Sequence, residues 1–251
     1  MLKTILARLL QNRLSNQTCT IMKQKLIFFC ATFLLGTVAA VHAQKSGAIL
    51  RGGVNIANVT TTNDGSIDKA NSLTSFQAGL IGDIHLASIL YFQPGLVFTG
   101  KGSKTQSGNT SDATYYRATS NPYYIEVPAT LVLKSPGPVK FFAGAGPYIA
   151  VGVAGKNKVD GKFLGTSFSS EKNIEWSNDD PSTFNYEEGA GYGIMKRFDY
   201  GLNGTAGIEM KKAMLSVNYG LGLAKLQSGS NSSADDKNKH RVLSFTLGMR
   251  L

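Results

Sequence analysis

The last nine residues, Leu243-Ser244-Phe245-Thr246-Leu247-Gly248-Met249-Arg250-Leu251, alternate without a break. In an extended strand Leu243, Phe245, Leu247, Met249 and Leu251 share one face, and Ser244, Thr246, Gly248 and Arg250 share the other. The same period of two recurs upstream. Strands are expected at about 47–58, 74–86, 89–100, 123–134, 139–154, 200–210, 214–225 and 240–251. Each is about as long as a tilted strand that crosses a bilayer. No segment after Ala43 carries a convincing helical period.

One face of each segment is bulky and apolar: Leu50, Val54 and Ile56 in the first, Ile125, Leu131 and Leu133 in the fourth. The other face is small, polar or charged. It carries many glycines and the charged residues Arg51, Asp83, Glu126, Glu209 and Arg250. A soluble barrel turns its apolar face inward. Eight strands enclose a narrow interior, which suits small residues and paired charges, and the bulky set suits lipid. The apolar face is therefore expected to point outward.

The connectors agree. In order they span about 15, 2, 22, 4, 45, 3 and 14 residues, long and short in strict alternation. Short turns inside and long loops outside is the pattern of outer-membrane barrels. Closure also removes the exposed edges of an open sheet. The expected fold is all-β, a closed antiparallel eight-strand transmembrane β-barrel. The 45-residue connector, 155–199, is long for a structureless loop. It is expected to hold a hairpin above the membrane or two further crossings, which leaves ten strands as the alternative. Pro94, Pro128 and Pro147 each remove an N–H from a sheet with no edge. A bulge is expected at each, with an exchange of faces beyond it.

Residues 1–43 read as a leader, and 44–251 as the barrel domain. From Met22, taken as the true start, Lys23 and Lys25 precede an apolar run, and Val41-His42-Ala43 fits the small-x-Ala cleavage pattern. The charge of +10 over the whole chain falls to +5 after Ala43, where 21 basic residues face 16 acidic ones. Nucleic acid is therefore not an expected partner. Both cysteines, Cys19 and Cys30, lie in the leader, so the barrel domain has no disulfide and no cysteine metal site. Apolar residues follow Cys30, so it is not placed for lipoprotein acylation.

Six phrases resemble the PorT-type outer-membrane β-barrel family of Bacteroidota. They are Arg51-Gly52-Gly53-Val54-Asn55-Ile56-Ala57-Asn58, Phe92-Gln93-Pro94-Gly95-Leu96, Ile125-Glu126-Val127-Pro128, Ala143-Gly144-Ala145-Gly146-Pro147-Tyr148, Phe198-Asp199-Tyr200-Gly201-Leu202 and Tyr219-Gly220-Leu221-Gly222-Leu223. They run in the family's order over nearly all of the barrel domain. The resemblance implies an integral outer-membrane barrel in a Gram-negative cell, with outer-membrane lipid and lipopolysaccharide around it. It also implies the barrel-assembly machinery as a partner during insertion. It does not imply one activity. Leu251 stands where such barrels often end in an aromatic residue.

The polar residues expected inside are Arg51, Gln93 and Glu126 near mid-height. Asp83, Glu209 and Arg250, with His85, Lys134 and Lys140, fall nearer the inner end. Isolated charges in a low-dielectric interior are costly and paired ones tolerable. A salt-bridged structural plug is preferred over an ion path. His240, near Asp235 and Asp236, is placed on the outer rim as a solvated residue. Tyr115, Tyr116, Tyr123, Tyr124, Tyr192 and Tyr200 are expected as an aromatic girdle. Lys101, Lys104 and Arg117 are read as loop residues that meet anionic headgroups. No phosphate loop, dinucleotide fingerprint or metal cluster is present in the sequence. No catalytic residue, cofactor or metal is expected. The function read from this is a structural or interaction barrel with a filled lumen and long loops that offer a surface to a protein partner. The alternatives are a component of a protein secretion system, a lipid-modifying barrel enzyme and a narrow pore.

Overall fold

A computed structural model describes residues 46–60, 70–177, 194–226 and 239–251. It contains β1 (Gly47–Thr60), β2 (Ala70–Ala87), β3 (Leu90–Gly100), β4 (Ser103–Ser107), β5 (Tyr115–Lys134) and β6 (Lys140–Phe163). These are followed by β7 (Thr166–Asn173), β8 (Glu175–Trp176), β9 (Ile194–Met195), β10 (Phe198–Glu209), β11 (Ala213–Gly222) and β12 (Lys239–Arg250).

Eight of these strands pair in a ring. The antiparallel order is β1, β2, β3, β5, β6, β10, β11, β12, and β12 pairs back onto β1 from Ile49↔Arg250 to Thr60↔Lys239. Among the described residues the 155–199 connector adds no further strand to the eight of the ring. It holds instead the outer half of β6, hairpin-paired with β7, and the short parallel pair β8–β9. Leu164 and Gly165 both have positive φ, as a two-residue type I′ hairpin turn requires.

The expected orientation holds on every strand of the ring. On β12, Leu247 is 65% exposed and Thr246 2%; on β3, Leu96 is 56% exposed and Val97 2%. Large aliphatic and aromatic side chains form the outside, and the inside is polar or small over most of its height. One expectation is corrected here. The inner face is not uniformly polar, because Ile49, Ile81, Val97, Val132, Phe142 and Met214 make a buried apolar layer within it.

The prolines behave differently from expectation. Register shifts occur at His85/Ala87, where Leu86 of β2 is the extra residue, and opposite Tyr123/Tyr124, where Val153 of β6 is, not at the prolines. Around Pro94, Pro128 and Pro147 the ladder opens for about two residue pairs and resumes in the same register. β2–β3 passes from Ile81↔Gly95 to Ile84↔Phe92, β3–β5 from Pro94↔Ala129 to Val97↔Glu126, and β5–β6 from Pro128↔Tyr148 to Leu131↔Ala145. A missing N–H removes a rung, whereas an exchange of faces needs an extra residue. The pleat keeps its phase, so Leu96 and Leu131 stay outside and Thr130 inside. The three openings lie side by side across neighbouring strands. Amide exchange in micelles should therefore be faster at Gly95, Leu96, Ala129 and Thr130 than at Val97, Phe98, Val132 and Leu133. Uniform protection along β3 and β5 would contradict this seam.

Above Gly100 the wall continues as a taller sheet. There β4 pairs with both β2 and β5, and the outer halves of β5 and β6 run on to β7. The expected loop at 101–122 is thus mostly strand. Its alternation is polar on both faces, so it carries no apolar period.

Candidate functional site

The alternation that turns apolar residues outward also assembles the interior. At the inner end Asp83 (β2), Lys134 (β5), Glu209 (β10) and Arg250 (β12) converge. Lys134 Nζ lies 2.8 Å from Asp83 Oδ1 and 2.6 Å from Glu209 Oε2. Arg250 pairs with Asp83, and its Nη2 lies 3.2 Å from Glu209 Oε1. Gln93 Nε2 donates to Asp83 Oδ1 at 2.9 Å, so Gln93 joins this group rather than standing apart at mid-height. Lys134 Nζ also sits 4.5 Å from the Tyr91 ring centroid. Two cations meet two carboxylates, and the group is neutral. The apolar layer adjoins it in register: Ile49 opposes Arg250, Phe142 opposes Lys134 and Met214 opposes Glu209. Asp83, Lys134 and Glu209 are buried, so the pairs among them lie in a low dielectric where each is strong and each lone charge costly, while Arg250 is partly exposed.

A second group closes the outer half. Lys101 Nζ lies 2.6 Å from Glu126 Oε2 and 2.9 Å from Asp199 Oδ2. The Tyr148 hydroxyl donates to Asp199 Oδ2 at 3.1 Å, and Lys101 sits 4.0 Å from the Tyr148 ring centroid. Asn203 Nδ2 donates to Glu126 Oε1 at 2.7 Å. Lys101 was expected in an exposed loop, and it is buried here. The inward positions of β3 are odd-numbered (Gln93, Val97, Thr99), and Lys101 is the next step of that period. Asp199 likewise precedes Asn203 and Thr205 on the inward phase of β10.

His240 is corrected as well. It is buried, 1% exposed, with Nε2 3.3 Å from the Tyr124 hydroxyl. It is not a solvated rim residue. Asp235, Asp236 and Tyr192 lie outside the described residues. Tyr124 is buried inside and stacks edge-on against both His240 and Trp176, whereas Tyr123 and Tyr200 face outward as expected of a girdle. His85 stays at the inner turn, its Nε2 3.0 Å from the Ser88 carbonyl oxygen.

Between the two groups lies a polar cavity with about 40 Å³ open to the centre of a water molecule. That is room for roughly three waters. Arg51, Glu126, Gln77, Asn203 and Asn218 are among its lining residues. Arg51 and Glu126 are not joined directly. Arg51 Nη1 donates to Asn218 Oδ1 at 3.3 Å, and Asn218 is tied to Thr205 and Thr246 at 2.8 and 3.1 Å. Arg51 Nε and Gln77 Nε2 have no protein partner.

The outer mouth carries an apolar cap. Ile174, Met195 and Leu226 form a buried cluster packed by Val59 and Trp176. Lys196 N donates to the Leu226 carbonyl at 2.9 Å, and Gly152 N to that of Arg197 at 2.7 Å. The Trp176 ring occupies the space a side chain at position 152 would need, so only glycine there admits it. Among the described residues no group of three or more His, Cys, Asp or Glu is placed to hold a metal.

Two outcomes follow. Lys134→Ala leaves Asp83 and Glu209 buried with one cation between them, and should lower unfolding stability by about 3–5 kcal/mol, measured by urea titration in lipid vesicles. A loss below about 1 kcal/mol, the worth of an exposed pair, would contradict the burial of this group. Gly152→Val should displace Trp176, the only tryptophan, and shift its fluorescence to the red. An unchanged spectrum would place the indole elsewhere.

Comparison with known proteins adds the following. The model of a family described as an outer membrane protein beta-barrel domain matches residues 42–228. No curated protein matches the chain. Among solved structures, Ail, the attachment invasion locus protein of Yersinia pestis, is similar at 14% identity over 83% of this chain and 100% of that one, with a TM-score of 0.37. Neisserial surface protein A is similar at 12% identity over 83% and 100%, TM-score 0.37. The N-terminal beta-barrel domain of Pseudomonas aeruginosa OprF is similar at 8% identity over 82% and 98%, TM-score 0.29. With the family model spanning most of the ring, the chain belongs to the outer membrane protein beta-barrel domain family.

Proposed function

We propose that the protein is a closed eight-strand transmembrane barrel of the outer membrane with a filled lumen. Its role is structural or interactive, it performs no catalysis, and it offers the sheet above the membrane to what surrounds the cell. The observation that carries this reading is the stacking of four obstructions along one axis. They are the neutral group around Lys134, the apolar layer beside it, the Lys101–Glu126–Asp199 group and the cap at Trp176. A cavity of about 40 Å³ between them suits a few ordered waters and not a permeating solute. The burial of His240 against Tyr124 speaks against a hydrolytic rim site there, since a general base must reach substrate.

Within the family, the six ordered phrases from Arg51 to Leu223 support a PorT-type member. The basic, apolar stretch from Met22 to Ala43 supports export through a cleaved signal peptide.

In planar bilayers the purified protein should give no steady, discrete conductance, and Lys101→Ala should stay silent because the inner group still blocks the path. A reproducible unit conductance from the unaltered protein would overturn the sealed reading. Faster gel mobility before heating than after tests closure of the ring separately.

A further inference from the structure

Above the membrane the outward face of the sheet formed by β4, β5, β6 and β7 is basic and continuous with the lipid-facing wall. β5 has no face exchange along its length, so Asn121, Thr119 and Arg117 lie on the same face as Tyr123, Ile125 and Leu131. Register places Lys104 and Lys158 on either side of Thr119, and Lys156 beside Asn121 one row nearer the membrane. Arg117 and Lys162 lie further out. This face therefore carries five cations against two carboxylates, Asp160 and Glu171.

Directly below, Phe76, Phe98 and Tyr123 form an aromatic patch on the outer wall. Phe98 and Tyr123 stack at 5.4 Å with an 11° interplanar angle, and Phe76 lies 5.9 and 5.8 Å from them. Asn121 Nδ2 donates to the Tyr123 hydroxyl at 2.9 Å, which ties the aromatic row to the polar row above.

We infer that this face is a docking site for a phosphorylated glycolipid of the outer leaflet, with an acyl chain over Phe76, Phe98 and Tyr123 and a phosphate held among Lys104, Lys156 and Lys158. The heights are within reach. The Asn121 and Thr119 rows lie about 7 and 13 Å along the strand from Tyr123, which on a strand tilted by about 45° is about 5 and 9 Å in height. The headgroup layer is about 5–8 Å deep, so Lys156 stands in it and Lys104 and Lys158 reach down to it with their flexible side chains. Lys104 and Lys158 stand two strands apart, about 10 Å, a span that two lysine side chains can close on one phosphate.

The existing ion pairs do not prevent this. Lys156–Glu171 is 2.5 Å and Lys158–Asp160 is 3.2 Å, with both lysine side chains at least half exposed. Exposed pairs of this kind are weak, so a doubly charged phosphate competes with them. The Lys156 ammonium holds the Glu171 carboxyl below the usual carboxylate range, and the Ser169 hydroxyl does the same for Asp160. The hydrogen bond to Glu171 in turn raises the Lys156 ammonium above the usual lysine range, so Lys156 is charged at neutral pH.

The site rests on the barrel reading, and the test separates the two. The full chain in detergent is mixed with lipid A carrying two phosphates, or with its dephosphorylated form, and retention is read by native mass spectrometry. Phosphorylated lipid A should be retained about tenfold better, and Lys104→Ala/Lys158→Ala should abolish that preference. Lys211→Ala/Lys212→Ala, exposed at the inner turn between β10 and β11, should keep it. Equal retention of both lipids would overturn the inference, as would an unchanged preference in Lys104→Ala/Lys158→Ala or an equal loss in both double variants. Loss of heat-modifiable mobility in the unaltered protein would instead mark failure of the barrel itself.

Discussion

A backbone N–H or C=O left unpaired in hydrocarbon costs several kcal/mol, and no water is at hand to relieve it. In this chain the constraint is met by a sheet whose last strand pairs with its first. Two consequences follow from that ring. Every strand of the ring has a neighbour on both sides, so the ring itself leaves no edge open to a second chain. Every second residue is committed to the outside, and the residues between are committed to a space too narrow for bulk water. Composition on each face is then a matter of solvation: aliphatic and aromatic outside, small or mutually bonded polar groups inside.

Charge inside such a ring is admissible only when it balances over short distances. The inner end balances locally, with Lys134 and Arg250 against Asp83 and Glu209. The outer group does not. Lys101 meets two carboxylates, Glu126 and Asp199, and the compensating cation is Arg51 across the polar cavity. Asn203, Asn218, Thr205 and Thr246 fill the distance with oriented dipoles. The cavity therefore sits where the outer group's excess negative charge and Arg51's positive charge are held apart. Water there would satisfy Arg51 Nε and Gln77 Nε2, which no protein atom reaches.

The legible part of this structure is the part that lipid touches. Leu243 to Leu251 shows its period because one side meets hydrocarbon and the other does not, and the same holds for the bilayer-crossing portion of each strand in the ring. Above Gly100 that contrast vanishes. Lys156, Lys158 and Asp160 alternate with Asn157, Val159 and Gly161, water meets one face and the cap the other, and the strand reads as a loop. Lys101 and Asp199 were missed for a related reason. Each lies one residue outside the expected strand, Lys101 after Gly100 and Asp199 before Tyr200, although continuing the parity places both inside. His240 and Tyr124 were within reach of the same argument. The inward apolar layer was not, because Ile49, Val132 and Phe142 look like lipid-facing residues wherever they stand.

The seam at Pro94, Pro128 and Pro147 shows how interior and wall depend on each other. Three adjacent ladders lose rungs at one height, on the side of the ring next to the polar cavity, where Pro128, Gln93 and Thr130 are among the lining residues. A wall weakened there would part most easily if the strands were held only by their backbones. They are not. Gln93 on β3 is bonded to Asp83 on β2, Lys134 on β5 reaches Asp83 and Glu209 across the ring, and Glu126 on β5 is bonded to Asn203 on β10. Each of these bonds ties together strands that flank or bound the seam, from the inside and away from lipid. The charged groups therefore do more than fill a narrow space. They supply cross-strand connections where proline has removed those of the main chain, so the interior chemistry and the integrity of the wall are a single constraint.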